Sequence, residues 1–213
     1  MQKTPSIWSA LWSGKSITRA YLNECLAKEK LSGKTIDIGG GRNADYINFM
    51  SRGHDVSFET FDMKAGARVN FETDALPAAD GVYDTVLFLN VMEHIFNHQH
   101  IANEVLRITK PGGQVIGFVP FLMWYHPDHC DFFRYTHEAL QIIFERAGAS
   151  KISITAISPG PFTAAVHMVI QSFPRIVRPI VFVPFYLFDV LFRRLRPGRS
   201  DVFALGYFFV LHR

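Results

Sequence analysis

From Lys34 onward, short apolar runs alternate with amphipathic stretches, the pattern of strands and helices in a parallel α/β sheet. Runs rich in β-branched and aromatic residues predict strands near 34–38, 55–61, 84–89 and 114–119, then at Lys151–Ile157 and Val202–Leu211. Ahead of them, Ile17 to Leu31 carries apolar positions at helical spacing until Ser32-Gly33 breaks it. Residues 1–32 are therefore expected to form an N-terminal helical extension. A helix from Asn97 would bury Ile101, Val105 and Ile108, and Pro111-Gly112-Gly113 would stop it. Another follows Thr136, a good N-cap, with Glu138 in the first turn and Tyr135 and Leu140 placed for a hydrophobic staple. Ala147-Gly148 ends that helix.

Segment 159–200 breaks the alternation and separates the last two strands by far more than a hairpin loop. Ile176 to Phe192 is very apolar and runs into Arg193-Arg194-Leu195-Arg196. A membrane-spanning helix needs about 20 largely uncharged residues, and Arg178, Pro179, Pro184 and Asp189 interrupt this one, so no span is expected. Two readings stay open. One is a helical cap on the sheet that extends the core or a dimer interface. The other is an element lying on the membrane, aromatics inserted and arginines on anionic headgroups.

Composition narrows the picture further. With 213 residues, the chain is long enough for one substantial domain, taken as 33–213. A net charge of +3, without an aromatic-plus-basic stripe, gives no reason to expect nucleic acid as a partner. Cys25 and Cys130 cannot make a disulfide framework, which suits a reducing, cytoplasmic compartment. No secretory leader is expected, because no charged start precedes an apolar core segment.

The chemistry centres on Thr35-Ile36-Asp37-Ile38-Gly39-Gly40-Gly41-Arg42-Asn43. Glycines let a backbone turn sharply and approach a ligand, and an acid just before them adds fixed negative charge. Gly39-x-Gly41-x-x-Ala44, with Asp62 further on, also fits a dinucleotide fingerprint. Asp37, however, would sit close to a pyrophosphate and repel it.

Further segments continue in order. They are Val56 to Asp62, Asp74-Ala75-Leu76-Pro77, Tyr83 to Asn90 with Val91-Met92-Glu93-His94-Ile95, and Glu104 to Val115 with its Pro-Gly-Gly turn. Together with the glycine loop they resemble the ordered motifs of class I S-adenosylmethionine methyltransferases over roughly residues 33–120. The resemblance implies a Rossmann-like α/β fold: a seven-stranded, mostly parallel sheet with an antiparallel last strand, helices on both faces and a helical insertion (159–200) before that strand. It implies S-adenosylmethionine as cofactor, held by Asp37, Gly39, Gly40, Gly41, Asp62, Asp74, Ala75, Asn90 and His94. Asp37 would face the cationic end, Asp62 the ribose hydroxyls and Asp74 the adenine amine.

After the fifth strand of that fold comes Pro120 to Thr136, whose His…Asp-Phe-x-Arg-Tyr-Thr run resembles small methyltransferases that accompany bacterial glycan and polysaccharide biosynthesis. His126 and His129 are candidate bases, since imidazole suits proton transfer near neutral pH. Asp131 would orient one of them or bind acceptor hydroxyls, and Arg134 would pair with Asp131 or with an acidic acceptor. The histidines 94, 98 and 100 lack a recognisable zinc spacing, and no metal is expected. The resulting expectation is O-methylation of a small-molecule acceptor such as a sugar or lipid-linked glycan, at a pocket bordered by 159–200. Membrane contact at the inner face or dimerisation would run through that insertion. A non-catalytic scaffold on the same fold and an NAD-dependent oxidoreductase are the competing readings.

Overall fold

The computed structural model of the chain describes residues 3–40, 44–61, 69–126, 130–199 and 202–213. Gly41, Asp62 and His129 lie outside the described residues.

The strands are β1 (Lys30–Leu31), β2 (Lys34–Ile38), β3 (Ser51–Arg52), β4 (Ser57–Phe61), β5 (Tyr83–Leu89), β6 (Thr109–Pro120), β7 (Lys151–Ile157) and β8 (Gly206–His212). The helices are α1 (Ile7–Trp12), α2 (Ile17–Leu26), α3 (His98–Ile108), α4 (His137–Arg146), α5 (Pro161–His167) and α6 (Arg178–Leu195). Six strands form one sheet in the order β4-β2-β5-β6-β8-β7. Pairing is parallel from β4 through β6, and β8 runs antiparallel between β6 and β7.

The sequence led us to expect a seven-stranded sheet. Among the described residues the main sheet instead has six strands, and β1 and β3 pair separately in parallel. The described stretch between β4 and β5 spends its backbone groups on turns: Thr73 N and Asp74 N donate to Asn70 O, and Ala78 N donates to Leu76 O. The β1–β3 pair also explains why α2 stops at Leu26 rather than Leu31. A strand partner for Lys30-Leu31 lies beyond any local sequence window.

Alternation along the strands builds two cores. Val86, Phe88, Val115, Phe209 and Leu211 point to the face covered by α3 and α4, where Ile101, Val105, Ile108, Leu140 and Phe144 are buried. Leu87, Leu89, Ile116, Phe118 and Phe208 point to the other face, under α1, α2, α5 and α6. Local signals hold where they were legible. Thr136 Oγ1 accepts from Ala139 N at 3.3 Å, and Tyr135 and Leu140 are both buried beside that cap.

The insertion is a helical pair. Asp189, within α6, is fully buried and accepts from Phe162 N at 3.0 Å and Thr163 N at 2.7 Å, capping the first turn of α5. We expect Asp189→Ala to leave these two N–H groups unmatched and to cost about 1–3 kcal/mol in urea unfolding. Asp189→Asn, which keeps an acceptor oxygen, should recover part of that loss.

Candidate active site

Because β2, β5 and β6 are parallel, their carboxyl ends share one edge of the sheet, the usual place for a ligand in an open α/β fold. The chain leaves β2 through Gly39 and Gly40. Gly39 has φ +80°, and a Cβ there would meet Val91 Cγ2 at 2.5 Å. At Gly40 a Cβ would collide with the Asp37 carboxylate and the Tyr46 hydroxyl. The glycine loop thus lies directly over Asp37. Asn90, at the end of β5, has φ +55°, a conformation Asn accepts more readily than most residues, and its N–H donates to Phe118 O at 2.9 Å.

Asp37 is fully buried, and Tyr46 donates its hydroxyl to Oδ2. The other oxygen, Oδ1, has no hydrogen-bond partner among the described residues. Burial pushes the carboxyl up to about 6, while the Tyr46 hydrogen bond and the Arg19 charge pull it back. Arg19 comes from α2, whose start is capped by Ser16 Oγ accepting from Arg19 N at 3.1 Å. Its guanidinium stands 5.1 Å from the Tyr46 ring centroid.

A cleft of about 280 Å³ is lined by Arg19, Asn90, Glu93, His94, His126 and Asp131, among others, while Asp37, Gly39 and Gly40 lie outside its lining and connect to it through Arg19. Glu93 is the residue that sequence reasoning missed. Its exposure is 3%, and Oε2 has no partner among the described residues. Burial pushes its carboxyl up to about 8, with Arg134 pulling it down and Asp131 pushing it up. The "EH" pair was visible as a motif, yet nothing local shows that residues 131–134 fold over Glu93. Phe132 N donates to Glu93 O at 2.9 Å and fixes that approach.

His94 and His126 face one another with ring centroids 6.1 Å apart. His94 Nδ1 contacts the carbonyl oxygen of Cys130, which fixes the ring from behind. Asp131 forms a bidentate pair with Arg134, which pulls its carboxyl below the usual range, and Oδ2 accepts from His126 N at 2.7 Å. Arg134 also donates to Trp124 O at 3.1 Å. The Asp131–Arg134 pair therefore holds the His126 loop through the backbone N–H of residue 126 rather than through its ring.

Asp74 and Ala75 are exposed and lie apart from the cleft lining. The Asp74 carboxylate closes its own turn, accepting from Asn70 N at 2.9 Å and from Thr73 Oγ1 at 3.0 Å. The expectation that 159–200 borders the pocket needs correcting: the described helical wall of the cleft is Ser16, Thr18, Arg19 and Leu22 of the N-terminal extension. The insertion stands one layer behind. His167 of α5 stacks on Trp124 at 5.5 Å and lies 3.3 Å from Thr18 Oγ1.

A family model described as a methyltransferase domain matches residues 15–154. The chain belongs to this family. An uncharacterised methyltransferase of Mycobacterium leprae is 44% identical over 64 residues, covering 30% of this chain and 23% of that protein. Another, from Mycobacterium sp. (strain KMS), is 33% identical over 106 residues, 45% of this chain and 41% of the relative. The chain thus spans well under half the length of these curated relatives. Among solved structures, Haemonchus contortus phosphoethanolamine N-methyltransferase 2 in complex with S-adenosyl-L-methionine superposes with TM-score 0.55 and 18% identity, over 90% of this chain and 52% of that one. At such identity the likeness concerns the fold, and it agrees with the mixed sheet described above.

In this methyltransferase domain the two buried acids make stability depend on pH. Glu93 keeps its proton in the fold up to about pH 8, whereas in the unfolded chain it ionises above 4.5. The fold binds the extra proton, so stability falls as pH rises through that window. Asp37 contributes the same sign between 3.8 and about 6. Between pH 6 and 8 Glu93 dominates, and Glu93→Gln should flatten the decline there by about 2 kcal/mol, read from thermal unfolding across the range.

Proposed function

We propose that the chain is an S-adenosylmethionine-dependent methyltransferase acting on a hydroxyl oxygen of a small molecule, a sugar or lipid-linked glycan. The observation that carries this reading is the meeting of Asn90, Glu93, His94 and His126 in one cleft whose wall residue Arg19 also bears on Asp37 under the glycine loop. The donor set suits the cofactor. Asp37 Oδ1 and Glu93 Oε2 are buried acceptors without partners among the described residues, and a cationic, amine-bearing ligand would satisfy them. Gly40 lets the backbone pass directly over the Asp37 carboxylate, where a Cβ would collide with it. A buried carboxylate under the loop disfavours the pyrophosphate of NAD.

When bound, S-adenosylmethionine supplies a methyl carbon on a positively charged sulfur, which the acceptor oxygen takes by in-line displacement with the thioether leaving. The protein's part is to hold the acceptor, exclude water and receive its proton. We assign proton acceptance to the His126 ring, because the clamp of Asp131 and Arg134 holds this residue by its backbone N–H and not by the ring. Asp131 is then a positioning residue. His94, which faces His126 across the cleft, serves the methionine end of the cofactor together with Asn90 and Asp37. Asp62, Gly41, Asp74 and Ala75 keep the roles implied by the motifs, and His129 is the second candidate base. The free thiols of Cys25 and Cys130 suit a cytoplasmic setting.

Calorimetric titration with S-adenosylmethionine, S-adenosylhomocysteine and NAD tests the cofactor. Micromolar binding of the two adenosyl ligands and no NAD signal is expected; NAD binding alone would overturn the reading. Asp37→Ala or Asp62→Ala should weaken S-adenosylmethionine tenfold or more, about 1.4 kcal/mol. His126→Ala should lower methyl transfer in an acceptor screen that begins with glycans, while cofactor affinity stays near that of the parent protein.

A further inference from the structure

Helix α6 carries an apolar stripe on its outer side. Ile180, Val183, Leu187, Leu191 and Leu195 recur at helical spacing and are exposed, Ile180 by 70% and Leu195 by 69%. Over 16 of the 18 residues of α6 the stripe runs about 24 Å. Ile176 precedes it, and Phe188 lies alongside, exposed and packed against exposed Phe162 of α5 with ring centroids 5.3 Å apart. Trp8 of α1 packs on Phe182 and Tyr186 of α6, and Trp12, one turn further, is 62% exposed. Continuous apolar surface of this kind marks a docking face.

Charge says what docks there. Residues 168–199 contain six arginines, at 175, 178, 193, 194, 196 and 199, and a single acid, Asp189. That acid is fully buried and bonded to the start of α5. The charges that the segment shows to solvent are therefore cationic, led by the exposed Arg175, Arg194, Arg196 and Arg199, while Arg178 and Arg193 donate to backbone carbonyls of the domain. Arginines stand at both ends of α6: Arg175 and Arg178 before or at its start, and the other four at or beyond its end. A second copy of this chain is a poor occupant, because a twofold interface would set arginine against arginine whether the helices ran parallel or antiparallel. An anionic bilayer meets both ends favourably and receives the apolar stripe between them. Among the described residues no helix is long and apolar enough to cross a membrane, so the element lies in the interface plane.

We propose that the outer face of α6 docks the protein on the surface of an anionic phospholipid bilayer. Asp189 and Phe182 hold the inner face of the helix on the domain while Leu187 and its neighbours enter the acyl boundary. The surface stands apart from the cleft and does not depend on the methyltransferase assignment.

Flotation of the full chain with vesicles tests this. The protein should bind mixed phosphatidylcholine–phosphatidylglycerol vesicles at low salt, bind less as salt rises, and ignore pure phosphatidylcholine. The triple variant Ile180→Ser, Leu187→Ser, Leu191→Ser and the triple variant Arg194→Ala, Arg196→Ala, Arg199→Ala should each weaken partitioning about tenfold or more. All six positions are exposed, and an unchanged circular dichroism spectrum would show that each variant folds. Absence of parent binding at low salt would overturn the proposal, as would equal partitioning by the folded variants. Light scattering supplies a further arm: a monomer is expected, and a dimer that the serine variant dissociates would assign the stripe to a second copy instead.

Discussion

Two carboxyl groups, Asp37 and Glu93, are sealed at the carboxyl edge of the sheet with one oxygen of each unmatched among the described residues. Burying a charge without full compensation is costly, and a protein answers by retaining the proton or by bringing partners. Here both answers occur. Asp37, pushed up to about 6, is mostly ionised at neutral pH and is held by the Tyr46 hydroxyl and the Arg19 charge. Glu93, pushed up to about 8, mostly keeps its proton. Two acids at one edge of the sheet, Glu93 in the cleft lining and Asp37 under the glycine loop, thus hold different protonation states, a separation that suits different tasks.

Much of the surrounding architecture serves that edge. Gly40 is small because the Asp37 carboxylate and Tyr46 hydroxyl occupy the space above β2. Tyr46 reaches Asp37 from a 3-10 turn at Asp45–Phe49, and that turn is tied to α2 through the Arg19 guanidinium over the Tyr46 ring. Helix α2 in turn supplies one wall of the cleft. On the far side, the Asp131–Arg134 pair fixes the loop that brings Phe132 N to Glu93 O and His126 to His94. Preorganisation here comes from clamps between backbone and charge.

What the chain disclosed in advance was what local chemistry decides. A β-branched run ending in Asp37 and glycines defines its own turn, and Thr136 with Glu138 defines a helix start, so both are legible within a few residues. The antiparallel last strand followed from the family resemblance and holds in β8. Features requiring distant partners were hidden. Glu93 gains its meaning from a segment some forty residues later, and Arg19 gains its own from Tyr46 and Asp37. The end of α2 depends on β1 finding β3, and the seventh strand gives way to turn hydrogen bonds around Asn70. Periodicity reports which face of an element is apolar, but not which face will be covered.

Helix α6 is the sharpest instance of that last point, since it is apolar nearly all round. Hydrophobicity alone would let it roll until Ile180 and Leu187 were buried and Phe182 exposed, with little net change in apolar area. Asp189 forbids the rotation. Its carboxylate is bonded to Phe162 N and Thr163 N at the start of α5, and turning the helix outward would leave those donors unmatched and α5 uncapped. Arg193 Nη1, donating to Pro159 O at 2.6 Å, adds a second polar fix on the same inner side. Directional hydrogen bonds thus decide an orientation that the non-directional hydrophobic effect leaves nearly degenerate. The outward apolar stripe is therefore a specified feature of the fold, kept in place by a buried acid at the centre of an otherwise apolar helix.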